Sequence, residues 1–168
     1  MAIASISTIT FSRPANTTAY TAGDVIGIAD SVTAANAGSA IHELAGAGSS
    51  AAFLMVQSVQ LIINLSSVTS GMAGFRVHLY QSSPTAILDN AAYTFVTGDR
   101  VAWQDSFDLP APSVRGSMLR SKAEYQGGLV KLAAASSSLF AIVETIGAYT
   151  PASGTAYTLR VKCLEAGF

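Results

Sequence analysis

Phe75-Arg76-Val77-His78-Leu79-Tyr80 alternates between two kinds of side chain along its whole length. Phe75, Val77 and Leu79 fall on one side and Arg76, His78 and Tyr80 on the other, as the two-residue period of a strand requires. One apolar and one polar face is the pattern of a half-buried antiparallel strand.

Similar runs lie to either side, separated by turn residues. Ser5 to Phe11 is rich in Ile and Thr, and Asp24 to Ile28 is short and apolar. Ser39 to Leu44 precedes the flexible run Ala45 to Ser50. Phe53 to Leu65 is the longest β segment, and its alternation changes phase near Gln57 to Gln60, which predicts a bulge. Val101 to Phe107 alternates with Val101, Trp103, Asp105 and Phe107 on one side. Met118 to Tyr125 reads as a short helix or strand, and Gly127-Gly128 breaks it before a short strand at Leu129 to Leu132. Leu139 to Glu144 is apolar. The last run places Tyr157, Leu159, Val161 and Cys163 on one face and Thr158, Arg160 and Lys162 on the other. No window of 11 residues or more has a helical period. About 8–10 short strands with Gly/Pro turns predict an all-β fold, an antiparallel β-sandwich of jelly-roll type with long loops.

Composition narrows the class. The 168 residues suit one domain, with no linker or internal repeat to divide it. Charged residues make up 11%, against about 25% in ordinary soluble domains. Hydrophobic residues make up 50% and the mean hydropathy is +0.42. The longest apolar stretch, Leu54 to Leu65, is broken by Gln57, Ser58, Gln60 and Asn64, so a membrane-spanning helix is not expected. A net charge of −1 lacks the basic footprint of a nucleic-acid binder. The N-terminus lacks the basic and continuous apolar regions of a signal peptide. The single cysteine, Cys163, permits no internal disulfide and reads as a small buried hydrophobe. A surface of small neutral residues resists association poorly, which suggests coverage by neighbours.

Residues for chemistry are sparse. There are two histidines, His42 and His78, no G-x-S-x-G nucleophile elbow and no H-x-H pair. No metal or other cofactor is expected. His78, on the polar strand face, reads as an exposed or interface histidine. Asp105 and Asp108 lack the spacing of a calcium loop, and Gly46 and Gly48 lack the Lys-Ser/Thr of a phosphate loop. Trp103, Tyr80 and Tyr93 are enough aromatics for a sugar-stacking platform, although a sandwich core uses them too. The chain is therefore expected not to be an enzyme.

Three stretches carry a family likeness: Arg13-Pro14-Ala15-Asn16-Thr17-Thr18-Ala19-Tyr20-Thr21-Ala22-Gly23-Asp24-Val25-Ile26-Gly27, the segment Phe75 to Asn90, and Glu144 to Tyr157. With them the chain resembles the capsid cement or decoration proteins of tailed bacteriophages, small structural proteins encoded near the major capsid protein. The resemblance implies a jelly roll that binds the outside of an expanded shell as a dimer or trimer and holds capsomers together. Its partners would be the major capsid protein and further copies of itself. It would be made in the bacterial host cytoplasm and reside on the outer surface of the virion. Expected contact regions are an N-terminal arm over about residues 1–16 and loops over about 30–50 and 109–125. Arg13, Asn16, Tyr20, Arg115, Arg120 and Lys122 are the candidate contact residues. The competing expectations are a tail or adhesin module that recognises host glycan and, with least support, a depolymerase.

Overall fold

A computed structural model describes residues 3–31 and 40–166, and they form an all-β fold of antiparallel strands. Nine strands occur among the described residues: β1 (Ala4–Ser12), β2 (His42–Leu44), β3 (Phe53–Ile63), β4 (Phe75–Tyr80), β5 (Trp103–Leu109), β6 (Ser113–Arg115), β7 (Met118–Lys131), β8 (Leu139–Thr145) and β9 (Ala156–Ala166). One sheet runs β1-β9-β3-β7-β6 and the other β2-β8-β4-β5. The pairs are nested: β1 with β9, β2 with β8, β3 with β7 and β4 with β5. Successive pairs alternate between the sheets, so the chain is one long hairpin rolled into a sandwich. This is the jelly-roll arrangement, with β6 added at one edge.

The alternation read from the sequence sets the inward faces. Val77 and Leu79 meet Leu54, Val59, Leu61, Ile63, Leu159 and Val161 in one core drawn from both sheets. Each fully buried aliphatic side chain there contributes about 1.5–3 kcal/mol relative to exposure. Cys163 is buried in the same core, and burial pushes its thiol up to about 12. The expected bulge in β3 is a register shift between Val56 and Ser58 against both β7 and β9.

Several expectations change. Gly127-Gly128 does not interrupt β7, which runs to Lys131 and pairs with β3 on either side of the register shift, through Glu124 and again from Gly128. At Gly128 a Cβ would come within 3.1 Å of the Phe107 ring, so the glycine makes room for packing. The alternation of β5 fails at Gln104. Leu79 pairs with Asp105 and Tyr80 with Trp103, leaving Gln104 as an extra residue. That bulge separates Trp103 from the inward Phe107 and turns it to the outer side of the sheet.

The predicted N-terminal arm is largely strand: all nine residues of β1 pair with β9. Residues 1 and 2, and residues 32–39 of the predicted 30–50 loop, lie outside the described residues. The rest of that loop holds β2 and a turn whose Ala47 carbonyl accepts from Ser5 Oγ at 2.5 Å. The 109–125 segment is a β6–β7 hairpin after Pro112.

A layer of loop covers the outer side of the β2-β8-β4-β5 sheet. Val25, Ala40, Tyr80 and Ile142 form a second buried cluster there, flanked by Ile87, Tyr93, Ala102 and Phe140. This layer explains why His78 and Tyr80, on the polar side of β4, are 5% and 1% exposed. No helix among the described residues is long and apolar enough to cross a membrane.

Candidate functional site

The outward side chains of the first sheet form rows set by register. Lys122, Gln60, Arg160 and Thr8 make one row across β7, β3, β9 and β1. Glu124, Ser58, Lys162 and Ile6 make the next, and Ser113, Arg120, Ile62, Thr158 and Thr10 the one on the other side. A 2.9 Å contact between Thr10 Oγ1 and Thr158 Oγ1 joins one such neighbouring pair. Arg115 pairs with Met118 at the adjoining edge.

The face therefore gathers Arg115, Arg120, Lys122, Arg160 and Lys162, five of the chain's nine Lys and Arg residues. Lys122 pairs with Glu124, and the cation holds that carboxyl below its usual range. A shallow hollow of about 300 Å³ lies between Pro110, Ser113, Arg115, Arg120 and Lys122. Another, of about 190 Å³, lies between Ile6, Gln60, Arg160 and Lys162. Exposed Ile6 (65%) and Met118 (42%) add apolar area among the cations. Positive charge mixed with apolar surface suits a protein partner carrying carboxylates.

The three basic residues singled out from the sequence thus share one face, and the structure adds Arg160 and Lys162. Their place on the polar side of the last strand was legible; their proximity to β7 was not, because β3 intervenes. The other three candidates lie elsewhere. Arg13 and Tyr20, expected as contact residues, are 2% and 1% exposed, so their side chains are packed into the chain's own interior. Arg13 Nη2 meets Asp89 Oδ2 at 3.3 Å, with both side chains fully covered. Asp89 Oδ1 accepts from Tyr20 Oη at 2.6 Å and from the Gly27 N–H at 2.9 Å. Arg13 also donates from Nε to Tyr20 Oη at 3.1 Å and from Nη2 to Asn16 Oδ1 at 2.8 Å. Asn16, half-buried, donates in turn to Asp30 Oδ2 at 3.1 Å. A buried charge persists only when paired and hydrogen-bonded. The clasp meets that condition and ties the segment after β1 to the β4–β5 connection.

Both histidines are buried. His42 is buried, stacked on Phe11 at 3.6 Å, and its Nε2 lies 3.0 Å from the Ile26 carbonyl. A carbonyl only accepts, so Nε2 carries the hydrogen. Burial brings this imidazole down to about 4. His78 is not an exposed histidine. Its Nδ1 lies 2.7 Å from Ser106 Oγ and its Nε2 2.8 Å from Glu144 Oε2. Tyr93 stacks on its ring at 3.9 Å and 5°. Of the predicted aromatic platform, Tyr80 is buried with its hydroxyl 2.7 Å from that of Tyr93, and Phe95 takes its place beside Trp103. No group of three or more His, Cys, Asp or Glu residues able to hold a metal occurs among the described residues.

No family model and no curated protein matches the chain. Solved structures do resemble it. A chain in the structure of Cocksfoot mottle virus is 11% identical with a TM-score of 0.35, covering 98% of this chain and 93% of that one. One from Sacbrood virus of honeybee in its expansion state II is 10% identical with a TM-score of 0.33, covering 98% and 81%. One from Mud crab tombus-like virus is 11% identical with a TM-score of 0.26, covering 98% and 90%. All three are structures of viruses. Likeness this weak bears on neither partner nor activity, and the jelly-roll assignment stands on strand order.

Proposed function

We propose that this chain is a virion structural protein that binds the outer surface of a phage capsid and stabilises contacts between capsomers. Its partners are the major capsid protein and further copies of itself, as a dimer or trimer. The observation that carries this reading is the cationic face of the β1-β9-β3-β7-β6 sheet, in a chain otherwise poor in charge. The resemblance of Arg13–Gly27, Phe75–Asn90 and Glu144–Tyr157 to decoration proteins supports it. The fold adds only an analogy, since jelly rolls serve in capsids and lectins alike.

Physically, the role asks for wide contact at low desolvation cost. Small neutral side chains between the cations lose little on burial, and the cations orient the encounter with acidic groups of the shell. The β6–β7 hairpin extends this face at its edge. Purified protein added to undecorated, expanded shells should bind at fixed stoichiometry and raise their melting temperature. Absence of binding to shells of the parent phage overturns the reading.

The alternative, a tail or adhesin module for host glycan, has the Tyr93, Phe95 and Trp103 wall in its favour. That wall is almost wholly carbon and offers sugar hydroxyls few partners, so a glycan array is expected to be blank.

A further inference from the structure

Three strands of the second sheet bring Ser106, His78 and Glu144 into one hydrogen-bonded line. Ser106 on β5 lies directly opposite His78 on β4, and Glu144 on β8 lies opposite Arg76, one step along the same face. The His78 and Glu144 side chains are 6% and 14% exposed. The direction of the line follows from the groups themselves. An ionised carboxylate only accepts, so Nε2 of His78 carries the hydrogen that bonds Glu144. The neutral ring then presents a bare Nδ1, and Ser106 Oγ–H is the donor to it. Burial, the strongest influence on this imidazole, lowers its pKa and favours that neutral form; Glu144 opposes the shift. Nucleophile, base and orienting acid are thus in sequence and within contact distance.

The line ends in a cavity. About 290 Å³ of space is lined by His78, Ser106, Tyr93, Phe95 and Trp103, at the small end of ligand pockets. The bulge at Gln104 turns Trp103 into this wall, and Phe95 meets its ring edge-on at 5.8 Å. Phe95 and Trp103 are 44% and 37% exposed, so the cavity opens to solvent. A nearly all-carbon wall suits a short acyl or aryl group.

We propose that Ser106 is a nucleophilic serine, activated by His78 and positioned through Glu144, that takes the acyl group of a small apolar ester. Ser106 Oγ bonds to the ester carbonyl carbon, and its proton passes to His78 Nδ1. The carbon–oxygen bond to the alcohol breaks, and the departing oxygen receives that proton. Water then cleaves the acyl-serine, returning the hydroxyl and a carboxylic acid. Turnover is slow. The Ser106 N–H is engaged by Asp105 Oδ1 at 2.8 Å and cannot steady an oxyanion, and one such donor is worth about 10²–10³ in rate. The inference is independent of shell binding: the cavity lies on the outer side of the β2-β8-β4-β5 sheet, away from the cationic face.

The test uses the full chain with a fluorophosphonate probe and p-nitrophenyl acetate. Wild type should form an adduct, with loss of fluoride, that peptide mass mapping places on Ser106. It should release about one equivalent of nitrophenolate per chain in a burst before slow turnover. Ser106→Ala should lose both. Glu144→Gln should slow labelling at least tenfold with an unchanged melting temperature, and Glu144→Asp should recover part of the rate. Labelling should fall in acid with a midpoint below pH 6.5, set by His78 among its neighbours Glu144, Tyr93, Arg76 and Asp108. The proposal is overturned by no wild-type adduct, by an adduct on another residue, or by Ser106 labelling undiminished in Glu144→Gln. The three residues would then be a structural link between strands.

Discussion

Tyr20 Oη donates to Asp89 Oδ1 at 2.6 Å, and the same carboxylate closes a fully covered ion pair with Arg13. Removing one member of such a pair strands the other charge away from water. Asp89→Ala is expected to cost about 3–5 kcal/mol, whereas Tyr20→Phe should cost about 1–2 kcal/mol. Urea unfolding of each variant and of the double mutant measures both costs and their coupling. Additive effects would show that the Tyr20 hydroxyl and Asp89 share no interaction energy.

Charge on the first sheet should govern shell binding. Arg115→Ala with Arg120→Ala, and separately Arg160→Ala with Lys162→Ala, should each weaken affinity about tenfold at low salt. Each should also flatten the salt dependence while leaving the melting temperature intact. Titrations at several salt concentrations check this. Undiminished binding in the Arg160/Lys162 variant would confine the contact to the β6–β7 hairpin.

His42 should make the fold acid-sensitive. Its folded pKa of about 4 lies below the ordinary 6.5, so in between the unfolded chain binds more protons. Stability is complete above about pH 6.5 and is lost as pH falls toward 4, by on the order of 3 kcal/mol. His78 is shifted the same way and adds to the slope. His42→Gln keeps a donor for the Ile26 carbonyl without the titration. Its denaturant midpoint should therefore fall less between pH 7 and pH 4.5 than that of wild type.

Gly71 has φ +85°, and a Cβ there would lie 2.0 Å from the Ala148 carbonyl oxygen. Gly71→Ala is therefore both conformationally strained and blocked by backbone. A loss well above about 1 kcal/mol is expected, read as a lower melting temperature. An unchanged melt would mean that the β3–β4 and β8–β9 connections separate freely.

Strand faces were legible because alternation is a local property. Val77 and Leu79 point inward, Arg160 and Lys162 outward, and the β3 bulge lies where the phase changes. What depends on distant partners was hidden. Nothing near Arg13 announces Asp89, since their bond spans 76 positions. The same holds for His78, whose partners lie 28 and 66 positions away. Local polarity also marked His78 and Tyr80 as outward. They are outward with respect to the sheet, but the loop layer above them depends on Val25, Ile142 and their neighbours coming together. The Gln104 bulge escaped because one inserted residue leaves a run that still looks alternating.

Nesting of the pairs imposes an order of events during synthesis. Ala4 finds its place only beside Leu164, so β1 must wait until β9 has left the ribosome. Until then β3 lacks the neighbour that separates it from β1, and its flank can capture another nascent chain. Such distant pairings put folding in the millisecond-to-second range rather than microseconds, and they make the closing strand the step at which the whole sandwich becomes cooperative.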